Sequence, residues 1–218
     1  MGSMADSSRP DAAGSGGPAA VVFDLGNVLI RWDPAPAIAA GVGDREAARF
    51  LGADDFDFAA WNHRQDAGRG WVEAEDELGR THPHWHEHAL AYRANFDLSL
   101  TGAVEDNVSV LRDLHAAAVP LFALTNWSAE LFPRALERFG FLDLFDDIVV
   151  SGAERLAKPD PGVFDVLRQR TGHPLADCVF VDDSPRNVSA AAVAGMDAIR
   201  YDEHVDLRGE LRQRGLPV

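Results

Sequence analysis

Several features common in other classes of protein are missing from this 218-residue sequence. It contains one cysteine, Cys178, which excludes an internal disulfide framework. Cys178 lies in the apolar run 178–181, a pattern that predicts a buried thiol in a reducing, cytoplasmic environment. No stretch approaches the roughly 20 consecutive apolar residues that a membrane-spanning helix needs. No internal repeat is visible. We therefore expect a globular protein with a packed core.

Positive charge is also scarce. The sequence has 20 basic against 35 acidic residues, a formal net charge of −15. Such a surface repels nucleic acid and anionic membranes, so we expect neither as a partner. It also repels a phosphorylated substrate at long range. Any phosphate site in this chain must therefore supply local positive charge, from a bound cation or a well-placed lysine.

The first 18 residues lack hydrophobic periodicity and are rich in Gly, Ser, Ala and Pro. They have no basic stretch followed by an apolar stretch, which a signal peptide requires. Met1 and Met4 flank Gly-Ser in the manner of an expression-tag remnant. We therefore expect residues 1–18 to form a disordered tail outside the fold.

Short apolar runs alternate with helical patterns along the rest of the chain. Runs this short and continuous are typical of strands buried on both faces of a parallel sheet. We predict such strands at 20–23, 119–124, 148–150, 178–181 and, more weakly, 198–201. Apolar positions three or four apart, with Gly and Pro at the ends, predict helices over 104–114, 131–139, 163–167 and 185–194. This alternation predicts an α/β fold with a doubly wound parallel sheet.

Residues 33–100 break the alternation, because they contain helix-like patterns punctuated by Gly and Pro and no convincing strand. This segment falls between the first and second predicted strands, so we interpret it as a helical insertion, or cap. The predicted domains are a core of residues 19–32 and 101–218 and a cap of residues 33–100.

Polar and charged residues stand where the predicted strands end. They are Asp24, Thr125-Asn126, Asp182-Asp183 and, after a short loop, Lys158. Ligands of an open parallel sheet bind beyond the carboxyl ends of its strands. Taken singly, such an Asp is as often a helix cap, a lysine is usually solvated, and Thr-Asn is ordinary turn chemistry. Adjacent carboxylates, however, repel each other unless a cation lies between them. Together these residues predict one site at one edge of the sheet.

The chemistry of this set suits attack on a phosphate ester. A carboxylate such as Asp24 can attack phosphorus and form an aspartyl phosphate, which divides one difficult step into two. Two anions must then approach each other, so we expect Mg²⁺, held by hard oxygen ligands, as the cofactor. Lys158 would add a positive charge, and the Thr125 hydroxyl would hold a phosphoryl oxygen. This arrangement supplies the local positive charge that the acidic chain requires.

The same residues resemble the four motifs of the haloacid dehalogenase superfamily. The motifs are Val-Val-Phe-Asp24-Leu-Gly-Asn-Val-Leu, Leu124-Thr125-Asn126, Lys158-Pro-Asp-Pro and Val-Phe-Val-Asp182-Asp183-Ser. Their order and spacing cover residues 20–201. The resemblance implies a Rossmann-like core with a small helical cap, and a site closed by motion of the cap.

The resemblance also implies a role for each motif residue. Asp24 would be the nucleophile, assisted by Lys158. Thr125, Asn126 and Lys158 would bind the substrate. The ligands of Mg²⁺ would be Asp24, the main-chain carbonyl of Gly26, Asp182 and Asp183.

One position departs from the usual pattern of the superfamily. Most of its phosphatases carry a second Asp two residues after the nucleophile, as general acid and base, and this chain has Gly26 there. Loss of such a group typically lowers the rate by about two to four powers of ten. The Asp24-Leu-Gly-Asn-Val version resembles a bacterial subgroup that includes α-glucose-1-phosphate phosphatase, whose hemiacetal oxygen is a good leaving group. We expect a Mg²⁺-dependent phosphatase acting on a small phosphorylated metabolite, with a sugar phosphate as one option.

Two groups of residues in the predicted cap carry further hypotheses. In the stretch 61–70, His63 and Arg64 are predicted to bind the substrate. His63 or Asp66 could donate a proton, and Arg64 or Arg69 could contact the substrate; the alternative is an exposed turn between helices. His82, His84, His86 and His88 would share one face of a strand and could bind a transition metal. The residues that follow have a helical pattern, which would scatter these histidines.

Three other functions remain open. A halide-removing hydrolase of the same fold needs no magnesium, and its family members usually lack the metal carboxylates, so Asp182 and Asp183 disfavour it. A phosphomutase is disfavoured by Gly26. A catalytically weak binding protein that kept the pocket is favoured by Gly26 and disfavoured by the retention of Asp24 and Lys158. The oligomeric state cannot be predicted from the sequence.

Overall fold

The computed structural model describes residues 17–218, so the predicted tail lies outside the described residues except for its last two positions. Its central sheet has five strands in the order β5-β4-β1-β6-β7, and all four neighbouring pairs are parallel. The strands are β1 (Ala20–Phe23), β4 (Leu121–Thr125), β5 (Asp147–Val150), β6 (Cys178–Asp182) and β7 (Asp197–Arg200). The predicted α/β fold is confirmed, and β1 lies in the middle of the sheet.

Helices cover both faces of this sheet. On one face, α6 (Glu105–Ala116) and α11 (Leu207–Gln213) pack in the same hydrophobic cluster as Val21 and Phe23. On the other, α9 (Pro161–Thr171) and α10 (Pro185–Val193) pack with Ala20 and Val22. Successive side chains of a strand point to opposite faces, and both faces are buried here. The apolar runs are therefore continuous instead of alternating. Two shorter helices, α7 (Phe132–Arg138) and α8 (Ser151–Glu154), follow β4 and β5.

A second, two-stranded sheet was not predicted. It consists of the antiparallel strands β2 (Ile30–Trp32) and β3 (Leu100–Ala103), with a register shift between Arg31 and Trp32. The prediction of no strand up to residue 100 is thus wrong at its last position. These strands are short and only partly buried, so they lack the apolar run that identified the others. The pair lies where the chain leaves and re-enters the part built on the central sheet.

Five helices lie between β2 and β3, and we call residues 34–94 the helical segment. They are α1 (Pro34–Val42), α2 (Asp44–Leu51), α3 (Phe58–Asp66), α4 (Trp71–Thr81) and α5 (His86–Ala94). Short 3₁₀ turns occupy Pro83–Trp85 and Phe96–Ser99. Buried aromatic side chains of this segment belong to the same hydrophobic cluster as one face of the central sheet. The division into a core and a cap stays a prediction.

The helices end where the local chemistry indicates. In α9, Pro161 stands at the first helical position, where its missing N–H is no loss, and the Asp160 carboxylate accepts a hydrogen bond from Gly162 N. The helix ends at Gly172, whose φ of 72° lies in the left-handed region. No helix within residues 17–218 combines the length and the apolar character needed to cross a membrane.

Candidate active site

The structure brings the predicted strand-end residues together at the carboxyl edge of the central sheet. Asp24 directly follows β1, Thr125 is the last residue of β4, and Asp182 is the last residue of β6. A cavity of about 680 Å³ opens at this edge, with walls from both the sheet and the helical segment. Asp24, Gly26, Asn126, Lys158 and Asp183 all line it.

Lys158 is the centre of the buried charges. Its ammonium donates to Asp182 Oδ2 at 2.7 Å and to the Leu124 carbonyl at 2.6 Å, and it lies 3.0 Å from Asp24 Oδ1. Burial alone would lower the pKa of Lys158, but the charges of Asp24 and Asp182 outweigh it and raise this pKa. The lysine therefore stays charged, with its three donors engaged. It is also the only lysine of the sequence, a signal that sequence analysis could have used.

The Asp24 carboxylate is buried and asymmetric. Its Oδ1 accepts the Leu25 N–H at 2.7 Å and faces Lys158, whereas no hydrogen bond reaches Oδ2 from any residue in 17–218. Burial raises the pKa of Asp24 to about 7, and the nearby charges of Asp182 and Asp183 add to this, against the opposing effect of Lys158. A further cation at this place would favour the charged carboxylate, the form that can act as a nucleophile.

Asp182 and Asp183 have different surroundings. Asp182 is fully buried, and its carboxylate accepts from Ser184 N at 2.8 Å, from Asn187 Nδ2 at 3.1 Å and from Lys158. Asp183 is partly buried and lines the cavity. Burial and the charge of Asp182 raise the pKa of Asp183, while a hydrogen bond from the Asn27 side chain opposes this. The surroundings of Asp183 therefore do not fully balance the negative charge of its carboxylate.

The three carboxylates fit a divalent cation. Asp24, Asp182 and Asp183 each place one oxygen within 4.8 Å of the others, and no second group of three potential protein ligands exists in the described part of the chain. Three carboxylates face a single ammonium here, so a cation would balance the excess negative charge. Hard oxygen ligands that leave room for water suit Mg²⁺. Gly26 lines the same cavity, and its main-chain carbonyl stays a predicted ligand.

Thr125 and Asn126 differ in whether their side chains are already engaged in hydrogen bonds within the protein. The Thr125 hydroxyl is buried and has no hydrogen-bond partner among residues 17–218, so it is free to bind a phosphoryl oxygen. Thr125 does not itself line the cavity. The Asn126 amide is engaged with the backbone of Lys158, since its Oδ1 accepts from Lys158 N and its Nδ2 donates to Lys158 O, both at 2.8 Å. Asn126 thus holds the lysine in place instead of offering these atoms to a substrate, which differs from the prediction.

The two predicted substrate residues on α3 point in different directions. His63 lines the cavity, and burial together with the charge of Arg186 lowers its pKa. Arg64 does not line it, because its guanidinium lies 3.4 Å from Glu77 beside a second, smaller cavity. Neighbouring helix positions project about 100° apart, which separates the two side chains. The alternative candidate Arg69 also pairs with Glu77. The structure thus places Arg64 away from this cavity, and its contact with the substrate stays a prediction.

Asp66, at the end of α3, reaches the cavity and is fixed to the part of the chain built on the central sheet. Its carboxylate accepts from the Ser128 N–H and from Asn62 Nδ2, the latter at 3.1 Å, and its main-chain carbonyl accepts from Ser151 Oγ at 2.5 Å. Gly68 allows this close approach, since φ there is 96° and a Cβ would lie 3.1 Å from the Gly152 carbonyl. Burial raises the pKa of Asp66 to about 7, the Ser128 hydrogen bond opposes this, and the charge of Asp24 adds to it.

Sequence analysis missed several residues around the site. Asn187, on the alanine-rich helix α10, binds both oxygens of Asp182. Asn27 adopts a φ of 54°, and its Oδ1 accepts from Trp32 N at 3.1 Å. Asn tolerates this left-handed conformation better than most residues, and the pair Gly26-Asn27 is a turn signal that could have been used.

The four alternating histidines do not form one group. His86 starts α5, so the helical pattern is correct. His84 pairs with Asp55 at 2.8 Å, and His88 lies 3.7 Å from Glu46. Only His86 and His88 lie on α5, and the four side chains form no ligand group among the described residues. Metal binding by these histidines stays a hypothesis.

Known phosphatases are similar to this chain in sequence. The sesquiterpene phosphatase astK of Aspergillus oryzae is 28% identical over 201 residues, which cover 89% of this chain and 95% of the relative. The fructose-1-phosphate phosphatase YqaB of Escherichia coli is 29% identical over 92 residues, covering 42% of this chain and 48% of the relative.

Solved structures agree on the fold. The haloacid dehalogenase family enzyme bt-2542 of Bacteroides thetaiotaomicron, crystallised with magnesium and inorganic phosphate, matches with a TM-score of 0.70 and 19% identity, covering 90% of this chain and all of that one. The family model for haloacid dehalogenase-like hydrolases matches residues 18–195. The chain therefore belongs to the haloacid dehalogenase-like hydrolase family, and it is an enzyme.

Proposed function

We propose that this hydrolase is a Mg²⁺-dependent phosphatase that cleaves a small phosphate monoester through an aspartyl phosphate on Asp24. The observation that carries the proposal is the buried group of Asp24, Asp182, Asp183 and Lys158, which combines a carboxylate nucleophile with a place for a cation. Several relatives are named as phosphatases, which supports the reaction class. In this proposal residues 33–100 are the cap, residues 19–32 and 101–218 are the core, and the protein is cytoplasmic.

Each residue of the site has a different role in this reaction. Asp24 Oδ2, which is free of hydrogen bonds within the described chain, attacks phosphorus as the bond to the leaving alcohol breaks. Lys158 keeps Oδ1 in place and adds positive charge next to the attacking anion. The Thr125 hydroxyl donates to a phosphoryl oxygen. When bound between Asp24, Asp182 and Asp183, Mg²⁺ supplies charge neutralisation. Water then attacks the phosphorus of the aspartyl phosphate, the bond to Asp24 Oδ2 breaks, and inorganic phosphate and a proton are released as the Asp24 carboxylate is restored.

We assign the proton of the leaving alcohol to Asp66. Gly26 cannot donate a proton, and the space where its Cβ would lie is open, with no atom within 4 Å. Asp66 lines the same cavity as Asp24, is fixed by Ser128 and Ser151, and carries a proton more readily than an ordinary Asp. We prefer Asp66 to His63 because the lowered pKa of His63 leaves little of its protonated form, the only form that can donate a proton, at neutral pH.

The proposal is tested first with an aryl phosphate, because a phenolate leaves without much protonation. We expect turnover that requires Mg²⁺, stops on addition of a chelator, and falls by at least about three powers of ten in Asp24→Asn. Asp24→Asn is nearly isosteric, so its melting temperature serves as the folding control. Full activity of this variant would eliminate Asp24 as the nucleophile.

The same experiment separates the other candidate functions. Halide release from a haloacid, insensitive to chelator, would identify a dehalogenase. Absence of turnover with any phosphate ester in the presence of Mg²⁺ would identify a binding protein.

The substrate itself is a finer question. The relatives' names include a sesquiterpene and a sugar phosphate, so they do not decide between a hydrocarbon and a sugar as the alcohol. The first motif favours a good leaving group such as an anomeric oxygen. The side chains that line the cavity bear on the choice between a hydrocarbon and a sugar.

A further inference from the structure

Part of the cavity wall is built from aromatic and aliphatic side chains. Six residues form this apolar wall: Trp32, Trp71, Tyr92, Phe96, Trp127 and Leu131. They come from the helical segment, from the strands and turn at its base, and from the loop after β4. They line the same cavity as Asp24 and Asp183, so a substrate whose phosphate lies on Asp24 would place its alcohol among them.

Most polar atoms of this wall have hydrogen-bond partners within the protein, and the exception is Trp127 Nε1, which is buried and has no partner among residues 17–218. Trp71 Nε1 donates to Ser128 Oγ at 2.8 Å, and Trp32 Nε1 donates to Tyr92 OH at 3.2 Å. The Tyr92 hydroxyl also forms a hydrogen bond with the Ser99 side chain, and the Ser99 hydroxyl donates to the Phe96 carbonyl. The wall therefore offers mainly ring faces and methyl groups to a ligand, and its single unpartnered donor is the Trp127 indole N–H.

Polar side chains of the helical segment that reach the cavity are mostly engaged as well. Asp57 Oδ1 accepts from Ala60 N at 2.9 Å, and the Asn62 amide donates to Asp66. The His63 imidazole lines the cavity and makes no side-chain hydrogen bond within residues 17–218. A sugar would bring several hydroxyls into this space, and each hydroxyl without a partner would be bound less well than it is in water.

We infer, on the basis of the proposed phosphatase function, that the substrate is a phosphate monoester of a hydrocarbon alcohol and not of a polyol. The cavity of about 680 Å³ is large enough for such a group beside the phosphate, since pockets of about 300–1,000 Å³ bury most of a drug-sized ligand. The apolar wall would bind the hydrocarbon by the burial of apolar surface, and the buried charges at the sheet edge would bind the phosphate.

A panel of esters with the same kind of leaving oxygen tests this inference. We would measure kcat/KM with Mg²⁺ for straight-chain primary alkyl phosphates of increasing length and for glucose 6-phosphate and glycerol 3-phosphate, with an aryl phosphate as the activity control. Each added methylene should raise kcat/KM by about fourfold until the cavity is full. The two polyol phosphates should react no faster than the shortest alkyl phosphate.

Trp32 is the wall residue to change, because it is only partly buried and lies at the edge of the segment. Trp32→Gln should reduce the increase per methylene, and Trp32→Phe should restore most of it. Val72→Gln is the matched control, since Val72 is 62% exposed on α4 and does not line the cavity. Melting temperatures of all three variants would show whether they fold.

The outcomes separate the inference from the function on which it rests. Equal or faster turnover of the polyol phosphates, with Mg²⁺-dependent turnover of the aryl phosphate intact, would overturn the hydrocarbon substrate and leave the phosphatase. Absence of turnover with every ester, the aryl phosphate included, would overturn both. A dependence on chain length that Trp32→Gln leaves unchanged would show that the apolar wall is not the binding surface.

Discussion

The carboxyl edge of the sheet and the helical segment line one cavity, but they differ in how their residues are placed. At the sheet edge, the three carboxylates directly follow or end buried strands, so the backbone itself fixes their positions, and Lys158 joins them from the loop between α8 and α9. In the helical segment, function depends on which side of a helix faces the cavity, as His63 and Arg64 show. Positions fixed by strand ends can be predicted from a motif, whereas positions fixed by helix rotation need the packed structure.

The strongest test of this comparison is to remove the charge at the sheet edge. Lys158→Met would leave Asp24 and Asp182 buried without their cationic partner. We expect phosphatase activity to fall by at least about three powers of ten and stability to fall by about 3–5 kcal/mol, as when one partner of a buried ion pair is lost. Enzyme kinetics and denaturant unfolding would measure the two effects.

Arg168→Met is the matched control for that variant, because Arg168 is half-exposed and pairs only loosely with Asp165, at 3.8 Å. Its activity and stability should stay close to those of the unchanged protein. A similar small effect for Lys158→Met would show that the buried charges do not organise the site.

The second prediction tests the helical segment. Asp66→Asn should lower kcat/KM for an alkyl phosphate by about two to four powers of ten, while an aryl phosphate, which needs little protonation, should be affected much less. The acid form of Asp66 is present below its raised pKa of about 7. Turnover of the alkyl phosphate by the unchanged enzyme should therefore decline as the pH rises through this region, and the aryl substrate should not show this decline.

Gly26→Asp provides the rescue for that experiment. A Cβ at Gly26 meets no atom within 4 Å, so the side chain can be accommodated. Adding Gly26→Asp to the Asp66→Asn variant should raise its kcat/KM for the alkyl phosphate by at least about tenfold. Equal losses for the alkyl and aryl substrates in Asp66→Asn would indicate a positioning role instead of proton donation.

The third prediction concerns pH and metal. Asp24 and Asp66 have pKa values of about 7 in the folded chain, above the value of about 4 in an unfolded one. The folded state therefore binds more protons than the unfolded state between these values, and the metal-free protein should lose stability as the pH rises from about 4 to about 7.

Mg²⁺ should oppose this loss, because it favours the charged form of Asp24. We expect Mg²⁺ to raise the melting temperature more at pH 7 than at pH 5, as measured by calorimetry in matched buffers. In Asp183→Asn the effect of Mg²⁺ should be weaker. Stability that rises with pH over the same range, in the absence of metal, would contradict the assignment of these two carboxyl groups.

The smallest expected effect is that of Arg64→Ala. Its partner Glu77 is 38% exposed, so the ion pair contributes little to stability, and Arg64 lies away from the cavity. We expect kcat/KM to change by less than about threefold, whereas His63→Ala, on the lining, should alter KM for an alkyl phosphate more strongly. A larger effect of Arg64→Ala than of His63→Ala would support the predicted contact between Arg64 and the substrate.

Much of this molecule could be predicted from its sequence, for a specific physical reason. The inner strands β1, β4 and β6 are buried throughout, so they appear as continuous apolar runs, whereas the edge strands β5 and β7 are only partly buried. The positions of Asp24 and Asp182 at the ends of inner strands follow from these runs. β2 and β3 were missed because they are short and half-exposed. The amide contacts of Asn126 and Asn187 and the rotation of α3 depend on side-chain packing, which no single-residue signal encodes.

The most direct test of the central claim is to trap the phosphorylated enzyme. Rapid acid quenching of a reaction with an aryl phosphate and Mg²⁺, followed by peptide mass spectrometry, should find one phosphoryl group on Asp24 and none in the Asp24→Asn variant. Turnover without any phosphorylated Asp24, or with the phosphoryl group on another residue, would contradict the account.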